Sequence, residues 1–451
     1  MTPRNCAPRS IRRGGCSTRI YARCSVSEPA KPEKKGWARR SVLIGGGVAA
    51  TAAVGVAVAN RMAEPAPIDS GYFDGLSAAL KRAGVGAPVL VIDRARLNAN
   101  IAAVKAKLAG SGLGTRVVVK SLPSHDLIEA VAQGSGTNRY MVFNTPMLAE
   151  IAAKTPQADV LMGKPLTAVA AAEYYRSSRL NPQWLIDTPT RLKQYAALTA
   201  AAGVPLRANL EIDVGLHRGG FGDAARLAEV LDLAATLPNV EVTGLMGYDP
   251  HIAKVPDRSR AFARMLKAYR DAQGVLEAKR PGDPARFTYN SAGSPTYALH
   301  ASETAANEVS IGSAFVKPTD FDLDTLAHHV PAAFIATPVL KALDRVQVPS
   351  LEKLTGLFAL FDPGVQQAFF IHGGHWLAKP DYPAGLDYSK LYGRSSNQEL
   401  LTASNKVHLA PDDFVYLRPT QSEAVLLQFG DLLVYDNGEI TERWPTFQIS
   451  A

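Results

Sequence analysis

Short apolar runs recur along the chain from Pro88, and each is followed by a stretch whose apolar residues fall three and four apart. The runs at 89–92, 116–119, 140–143, 160–162, 184–186, 206–212, 240–246, 287–289 and 308–311 predict nine strands, alternating with helices. That alternation implies parallel strands with helical crossovers, and the eight strands after the first suffice to close a barrel. Local chemistry supports the helix starts. Asp93 precedes Leu97, Ile101, Val104 and Leu108 on one face; Thr188-Pro189 offers a cap followed by proline at the first helical position; Asp223 precedes Leu227, Val230, Leu231 and Ala234. The predicted fold is α/β: a (β/α)8 TIM barrel over residues 61–325.

Beyond Leu326 the helical spacing fades, and strand-like pieces dominate at 358–361, 368–371, 414–417, 425–428 and 432–435. Asp436-Asn437-Gly438-Glu439 has the composition of a tight hairpin turn after the last of these. Residues 326–451 therefore read as a C-terminal β domain. The Tyr/Pro/Gly/Ser-rich stretch 379–404 within it is predicted to be a long functional loop.

Charge changes the picture only at the N-terminus. The 451-residue chain carries a formal net charge of +8, but residues 1–60 hold 11 Lys/Arg against 2 Asp/Glu and the rest holds 38 against 39. The basic excess belongs to the leader, no basic stripe with interleaved aromatics follows, and a nucleic-acid partner is not expected. Within the leader, Trp37-Ala38-Arg39-Arg40-Ser41-Val42-Leu43-Ile44 opens an uncharged Gly/Ala/Val run that ends at Ala57-Val58-Ala59. Paired arginines, a weakly apolar stretch and a small-x-small exit read as a twin-arginine export signal. The expectation is a periplasmic or exported protein with transient membrane contact. The run 42–59 also reaches the lower length of a membrane span, so an uncleaved anchor is the alternative. The stretch ahead of Trp37 is longer than an ordinary leader, as an upstream start would make it. All three cysteines (Cys6, Cys16, Cys24) lie in this region, so cysteine-based zinc sites are excluded downstream.

Four segments carry candidate chemistry. Lys120 ends the strand at 116–119, at the C-terminal mouth where barrel enzymes keep their active sites; an amine held against apolar walls is a nucleophile toward a carbonyl. Glu211-Ile212-Asp213-Val214-Gly215-Leu216-His217-Arg218-Gly219-Gly220-Phe221 runs from the fifth barrel strand into a Gly-rich turn. Tyr289-Asn290-Ser291-Ala292-Gly293-Ser294-Pro295-Thr296 and Ser310-Ile311-Gly312-Ser313 place small residues, hydroxyls and backbone amides after the last two barrel strands, where such barrels hold phosphate. His372-Gly373-Gly374-His375 and His328-His329 lack a carboxylate partner at ligand spacing, and a structural role is expected for the first pair.

In this order, with Ala87-Pro88-Val89-Leu90-Val91-Ile92-Asp93 ahead and Gly244-Leu245-Met246-Gly247-Tyr248-Asp249-Pro250-His251 between, the chain resembles the fold-type III pyridoxal-phosphate enzymes, in particular the D-threonine aldolase and D-serine dehydratase-like family. The resemblance spans roughly residues 86–447. It implies pyridoxal 5'-phosphate held as an internal aldimine on Lys120, with Arg218 facing the pyridine nitrogen and the phosphate on Gly293, Ser294, Gly312 and Ser313. It also implies Tyr248 and His251 flanking the ring or substrate, with His251 as acid/base partner, a small amino-acid substrate and a homodimer. An arginine at the ring nitrogen cannot give up its proton and leaves that nitrogen largely unprotonated.

One departure bears on the reaction. Metal-dependent members carry two ligands after a proline in the C-terminal domain, where this chain reads Arg418-Pro419-Thr420-Gln421-Ser422-Glu423, with Gln421 and Glu423 at the ligand positions. Glutamine is a poor ligand for zinc or manganese, so a divalent metal is doubtful. The usual Glu-His-Gly element is also missing, and the matching neighbourhood reads Ser395-Ser396-Asn397-Gln398-Glu399. Three readings follow: a lyase or aldolase acting on a D-amino acid or β-hydroxy amino acid, with Glu423 as a side-chain base in place of the metal; an amino-acid racemase of the same fold; and a non-catalytic protein that binds pyridoxal phosphate or an amino acid. The β region, as a cover for the barrel mouth, favours an enzyme.

Overall fold

Eight parallel strands form the barrel: β2 (Gly114–Val118), β3 (Arg139–Val142), β4 (Asp159–Met162), β5 (Trp184–Ile186), β6 (Leu206–Glu211), β7 (Val240–Met246), β8 (Thr288–Ser291) and β9 (Glu308–Ile311). Their spatial order is 4-3-2-9-8-7-6-5, and a parallel bridge between Leu161 and Gln183 closes β4 onto β5. The computed structural model describes residues 70–347 and 366–448. The leader with its cysteines and twin-arginine segment, and the strand expected at 358–361, lie outside them.

The predicted helix starts are present. Asp93 Oδ1 accepts the Arg96 amide at 2.8 Å, Thr188 Oγ1 the Arg191 amide at 3.2 Å with Pro189 in the first turn, and Asp223 Oδ1 the Arg226 amide at 2.8 Å. Each satisfies an amide that the helix leaves without an internal partner. The expected apolar faces, Leu97 to Leu108 and Leu227 to Ala234, are buried. No described helix is long and apolar enough to cross a membrane.

The barrel interior contains a polar layer as well as aliphatic side chains. Arg116, fully buried, donates to both carboxylate oxygens of Glu308 (2.5 and 3.0 Å) and to Asp159 Oδ2 (2.8 Å), while Asn290 Nδ2 donates to Glu308 Oε1 (2.8 Å) and Ser310 Oγ (2.9 Å). Taking a guanidinium out of water is costly, and this site compensates with two carboxylates and the backbone carbonyls of Tyr140 and Asp159.

The second sheet is mostly antiparallel and draws on both ends of the described chain. β1 (Val89–Asp93) pairs antiparallel with β10 (Ala333–Leu343) and parallel with β16 (Leu432–Asp436). A helix at Ser70–Arg82 packs Phe73, Leu76 and Leu80 against Val91, Phe334, Tyr416 and Leu433 of this sheet. The stretch 70–93 thus precedes the barrel in sequence yet is built into the sheet that follows it. The hairpin of β16 and β17 (Glu439–Trp444) turns at Asn437 (φ 50°) and Gly438 (φ 84°), the left-handed pair that a two-residue turn requires.

Two expectations for this region are corrected. The stretch 379–404 is not a long loop; it contains β12 (Ala378–Tyr382), β13 (Asp387–Tyr388) and β14 (Gln398–Ala403). Pro380 is tolerated because β12 pairs with β15 (Phe414–Pro419) through a register shift at that point, where a ladder hydrogen bond is not needed. The segment 425–428 is not a strand: Glu423–Leu426 forms a helical turn that buries Val425 and Leu426. One turn is enough to bury both apolar side chains, and the Gln428 amide closes back onto Val425 at 3.1 Å.

Candidate active site

The C-terminal ends of the barrel strands open onto one cavity. Its wall includes Lys120, Ser121, Phe143, Arg218, Tyr248, Asn290, Gly293, Ser294, Ser310, Gly312, Ser313 and Glu423. Lys120 sits in the turn Val119–Ser121 just after β2, with Nζ 2.6 Å from Glu423 Oε1 and 4.7 Å from the centre of the Phe143 ring. Glu423 comes from the second sheet's side. The Asp320 amide donates to the Thr420 carbonyl (3.0 Å), Arg418 forms a buried pair with Asp322 (2.9 and 3.0 Å), and the Ser422 and Ser313 hydroxyls lie 3.2 Å apart. The β domain is therefore stitched to the segment after β9 through the residues just ahead of Glu423.

The two small-residue loops meet beneath Lys120. Ser294 Oγ accepts the amides of Gly312 (3.1 Å) and Ala314 (3.0 Å), and Ser313 Oγ donates to Ser121 Oγ (3.2 Å). A Cβ on Gly312 would lie 2.8 Å from the Cβ atoms of Ser121 and Val118, and one on Gly293 would lie 2.7 Å from Tyr248 Cε2. Both positions need glycine for close approach. The loop after β8 is held from behind: Thr296 Oγ1 donates to Asp249 Oδ1 (2.6 Å) and accepts the Gly293 amide (3.2 Å), and Asp249 Oδ2 pairs with His300 Nε2 (2.8 Å).

On the opposite side, Arg218 lies over the Tyr248 ring at 4.9 Å and 3.8 Å from Glu211 Oε1. Burial raises the Glu211 carboxyl above its ordinary range, against the pull of Arg218, and burial likewise raises the Tyr248 phenol. Asp213 shapes the preceding turn by accepting the Gly215 and His217 amides at 2.9 and 3.0 Å. Burial would raise its carboxyl, but those bonds and the His217 ring hold it below the usual value.

Of the residues singled out in the sequence, Lys120, Arg218, Tyr248, Gly293, Ser294, Gly312 and Ser313 all reach this cavity. His251 does not line it; its ring lies beside Gly215, where an added Cβ would sit 3.4 Å from Nε2. Gln421 is turned outward and donates to Asp320 Oδ2 at 3.2 Å. The His372–His375 turn is structural, with Gly373 and Gly374 at positive φ, the His372 carbonyl accepting Thr337 Oγ1 and the His375 amide donating to Glu399. His328 and His329 both place Nε2 2.7 Å from Tyr297 Oη. His125, Asp126 and Glu129 group their ligand atoms within 4.8 Å of one another, on a helix face outside the cavity wall.

Ser121 and Phe143 also line the cavity and were not singled out in the sequence, whereas Asn290 belongs to the candidate segment that begins at Tyr289. Each ends or follows a barrel strand, and strand-end position was the signal available for finding them.

Among the described residues the wall offers one amine, one guanidinium, one carboxylate, aromatic faces and a floor of glycines and serines. A phosphorylated aromatic aldehyde fits that set: an amine for the aldehyde, small residues where a phosphate needs close backbone approach, and a cation for the ring. The alanine racemase N-terminal domain matches residues 92–319. The chain belongs to that family. No curated protein matches the sequence. Among solved structures, this alanine racemase-type barrel is similar to D-threonine aldolase from Filomicrobium marinum, at 17% identity and TM-score 0.65, covering 80% of this chain and 97% of that one. It is also similar to D-threo-3-hydroxyaspartate dehydratase from Delftia sp. HT23 (17%, TM-score 0.61, 80% and 97%) and to alanine racemase of Clostridium difficile 630 (13%, TM-score 0.61, 81% and 100%). The barrel with its appended β domain is common to all of them.

Proposed function

We propose that the chain is a pyridoxal-phosphate-dependent lyase that cleaves a D-amino acid or a β-hydroxy amino acid, with Lys120 as the cofactor lysine. The observation that carries this reading is the convergence of Lys120, Arg218 and the Gly293-Ser294 and Gly312-Ser313 loops on one cavity at the barrel mouth. Pyridoxal phosphate, when bound, supplies an aldehyde that amines add to and a ring that draws electrons from a bond breaking at Cα.

The protein's own groups do the rest. The small-residue loops after β8 and β9 would hold the phosphate, Arg218 and Tyr248 would lie at the ring, and Lys120 Nζ would hold a proton for transfer to or from the Cα of an amino acid. The helical turn between β15 and β16 adds Glu423 to the cavity wall. The same reading includes export directed by the twin-arginine segment and assembly as a homodimer.

The test uses the full-length protein incubated with pyridoxal phosphate and reduced with borohydride, followed by peptide mass spectrometry. A phosphopyridoxyl group on Lys120, absent from Lys120→Ala, is the expected result. A protein that takes up no pyridoxal phosphate, or carries it on another lysine, overturns the reading.

A further inference from the structure

We propose that Glu423 is the group that takes the proton from the β-hydroxyl of a β-hydroxy amino acid bound in the barrel mouth, and that its contact with Lys120 returns that proton. The proposal rests on the reading of Lys120 as the cofactor lysine. Among the described residues of the cavity wall, the charged side chains are Lys120, Arg218 and Glu423, so Glu423 is the wall's one carboxylate. Its Oε1 lies 2.6 Å from Lys120 Nζ, a distance at which a proton passes directly, without an intervening water.

The carboxylate is also well anchored. Ser422, immediately before it, is buried with its hydroxyl 3.2 Å from Ser313 on the cavity floor, and Val425 and Leu426, two and three residues later, are buried in the core. The backbone of Glu423 is thus fixed on both sides, while its side chain stays 37% exposed. A group with these properties fits a base that meets substrate better than it fits a structural ion pair, which would need no access.

The step balances within the protein and substrate. The O–H bond of the β-hydroxyl breaks and its proton moves to the Glu423 carboxylate. The oxygen's electron pair forms the C=O bond of an aldehyde as the Cα–Cβ bond breaks and leaves its pair on Cα. Cα then takes a proton from Lys120 Nζ, and the proton on Glu423 crosses to Nζ to restore the starting state. For threonine the products are acetaldehyde and glycine, with no oxidant, reductant or external proton required.

The experiment compares full-length wild type, Glu423→Gln and Glu423→Asp, each loaded with pyridoxal phosphate. Three readouts are taken: borohydride trapping at Lys120 by mass spectrometry, exchange of the glycine Cα proton with D2O by NMR, and cleavage of D-threonine and D-phenylserine. Exchange requires Lys120 but no hydroxyl proton, so it separates the two roles. Glu423→Gln is expected to trap cofactor at Lys120 and to lose at least about a hundredfold in cleavage, the range for removing a general base, with a much smaller loss in glycine exchange. Glu423→Asp should recover part of the loss.

Cleavage by Glu423→Gln within about fivefold of wild type would overturn the assignment, since a general base contributes far more. So would parallel loss of exchange and cleavage in a variant that still traps cofactor, or a loaded wild type that exchanges glycine but cleaves neither substrate. A wild type that traps nothing at Lys120 overturns the underlying reading and this assignment together.

Discussion

The hydroxyl of Ser294 accepts the amide of Gly312 at 3.1 Å and so ties the loop after β8 to the loop after β9. The same oxygen accepts the Ala314 amide at 3.0 Å. Ser294→Ala leaves two buried amides without a protein partner, at a cost of about 1–3 kcal/mol each before any water enters. The variant is expected to unfold at lower urea and to bind pyridoxal phosphate at least about tenfold more weakly, through the loosened floor. Urea denaturation and fluorescence titration read the two effects separately. Unchanged affinity would show that the loop pair does not shape the binding floor.

A glycine-to-alanine change at 312 tests the close approach directly. The added Cβ meets Ser121 and Val118 Cβ atoms at 2.8 Å, and neither can swing away because both are fixed to the backbone beside Lys120. Overpacking of this kind costs about 1–3 kcal/mol. The expected outcome is displacement of the Lys120 turn, seen as slower borohydride trapping at Lys120 than in wild type. Trapping at the wild-type rate would contradict it.

The Arg116–Glu308 pair below the site predicts asymmetric mutational costs. Arg116→Met removes the nearest cation from a carboxylate that is 2% exposed and leaves it Arg139 at 3.5 Å; breaking a buried pair costs about 3–5 kcal/mol. Arg116→Met with Glu308→Gln removes both charges and should recover much of that loss. Thermal unfolding of wild type, single and double variants measures it. A double variant no more stable than the single would show that the charges are not what destabilises it.

His329 sets an acid limit on stability. Burial, then the neighbouring His328 and Lys317, push its imidazole down to about 3, whereas an unfolded histidine titrates near 6.5. Between those values the unfolded chain binds the proton and the native chain does not, so native stability falls as pH drops from about 6.5 towards 3. The loss is on the order of a few kcal/mol at the acid end. His329→Gln should flatten this part of the stability profile in urea titrations between pH 7 and 4. A slope equal to wild type's would assign the acid sensitivity to other groups.

The alternation of strands and helices, the barrel, and the positions of Lys120, Arg218 and the two Gly-Ser loops at strand ends were all legible in the sequence. These features are written in local periodicity, capping and turn chemistry, which depend on residues a few positions apart. The β domain was less legible because short strands interrupted by Pro380, Pro383 and Gly385 carry no clean alternation, and because Val425 and Leu426 fit a strand or a helical turn equally well until their neighbours are known.

Contacts between distant segments were decided by the tertiary structure alone. The return of 70–93 into the second sheet depends on β1 pairing between β10 and β16, two strands far away in sequence. Whether His251 reaches the cavity depends on the path of one short turn after β7. The meeting of Lys120 with Glu423 depends on how that sheet docks on the barrel mouth. Local sequence determines which elements form, whereas docking follows from burying their apolar faces together, and a spacing pattern within one segment carries no information about the segment it will face.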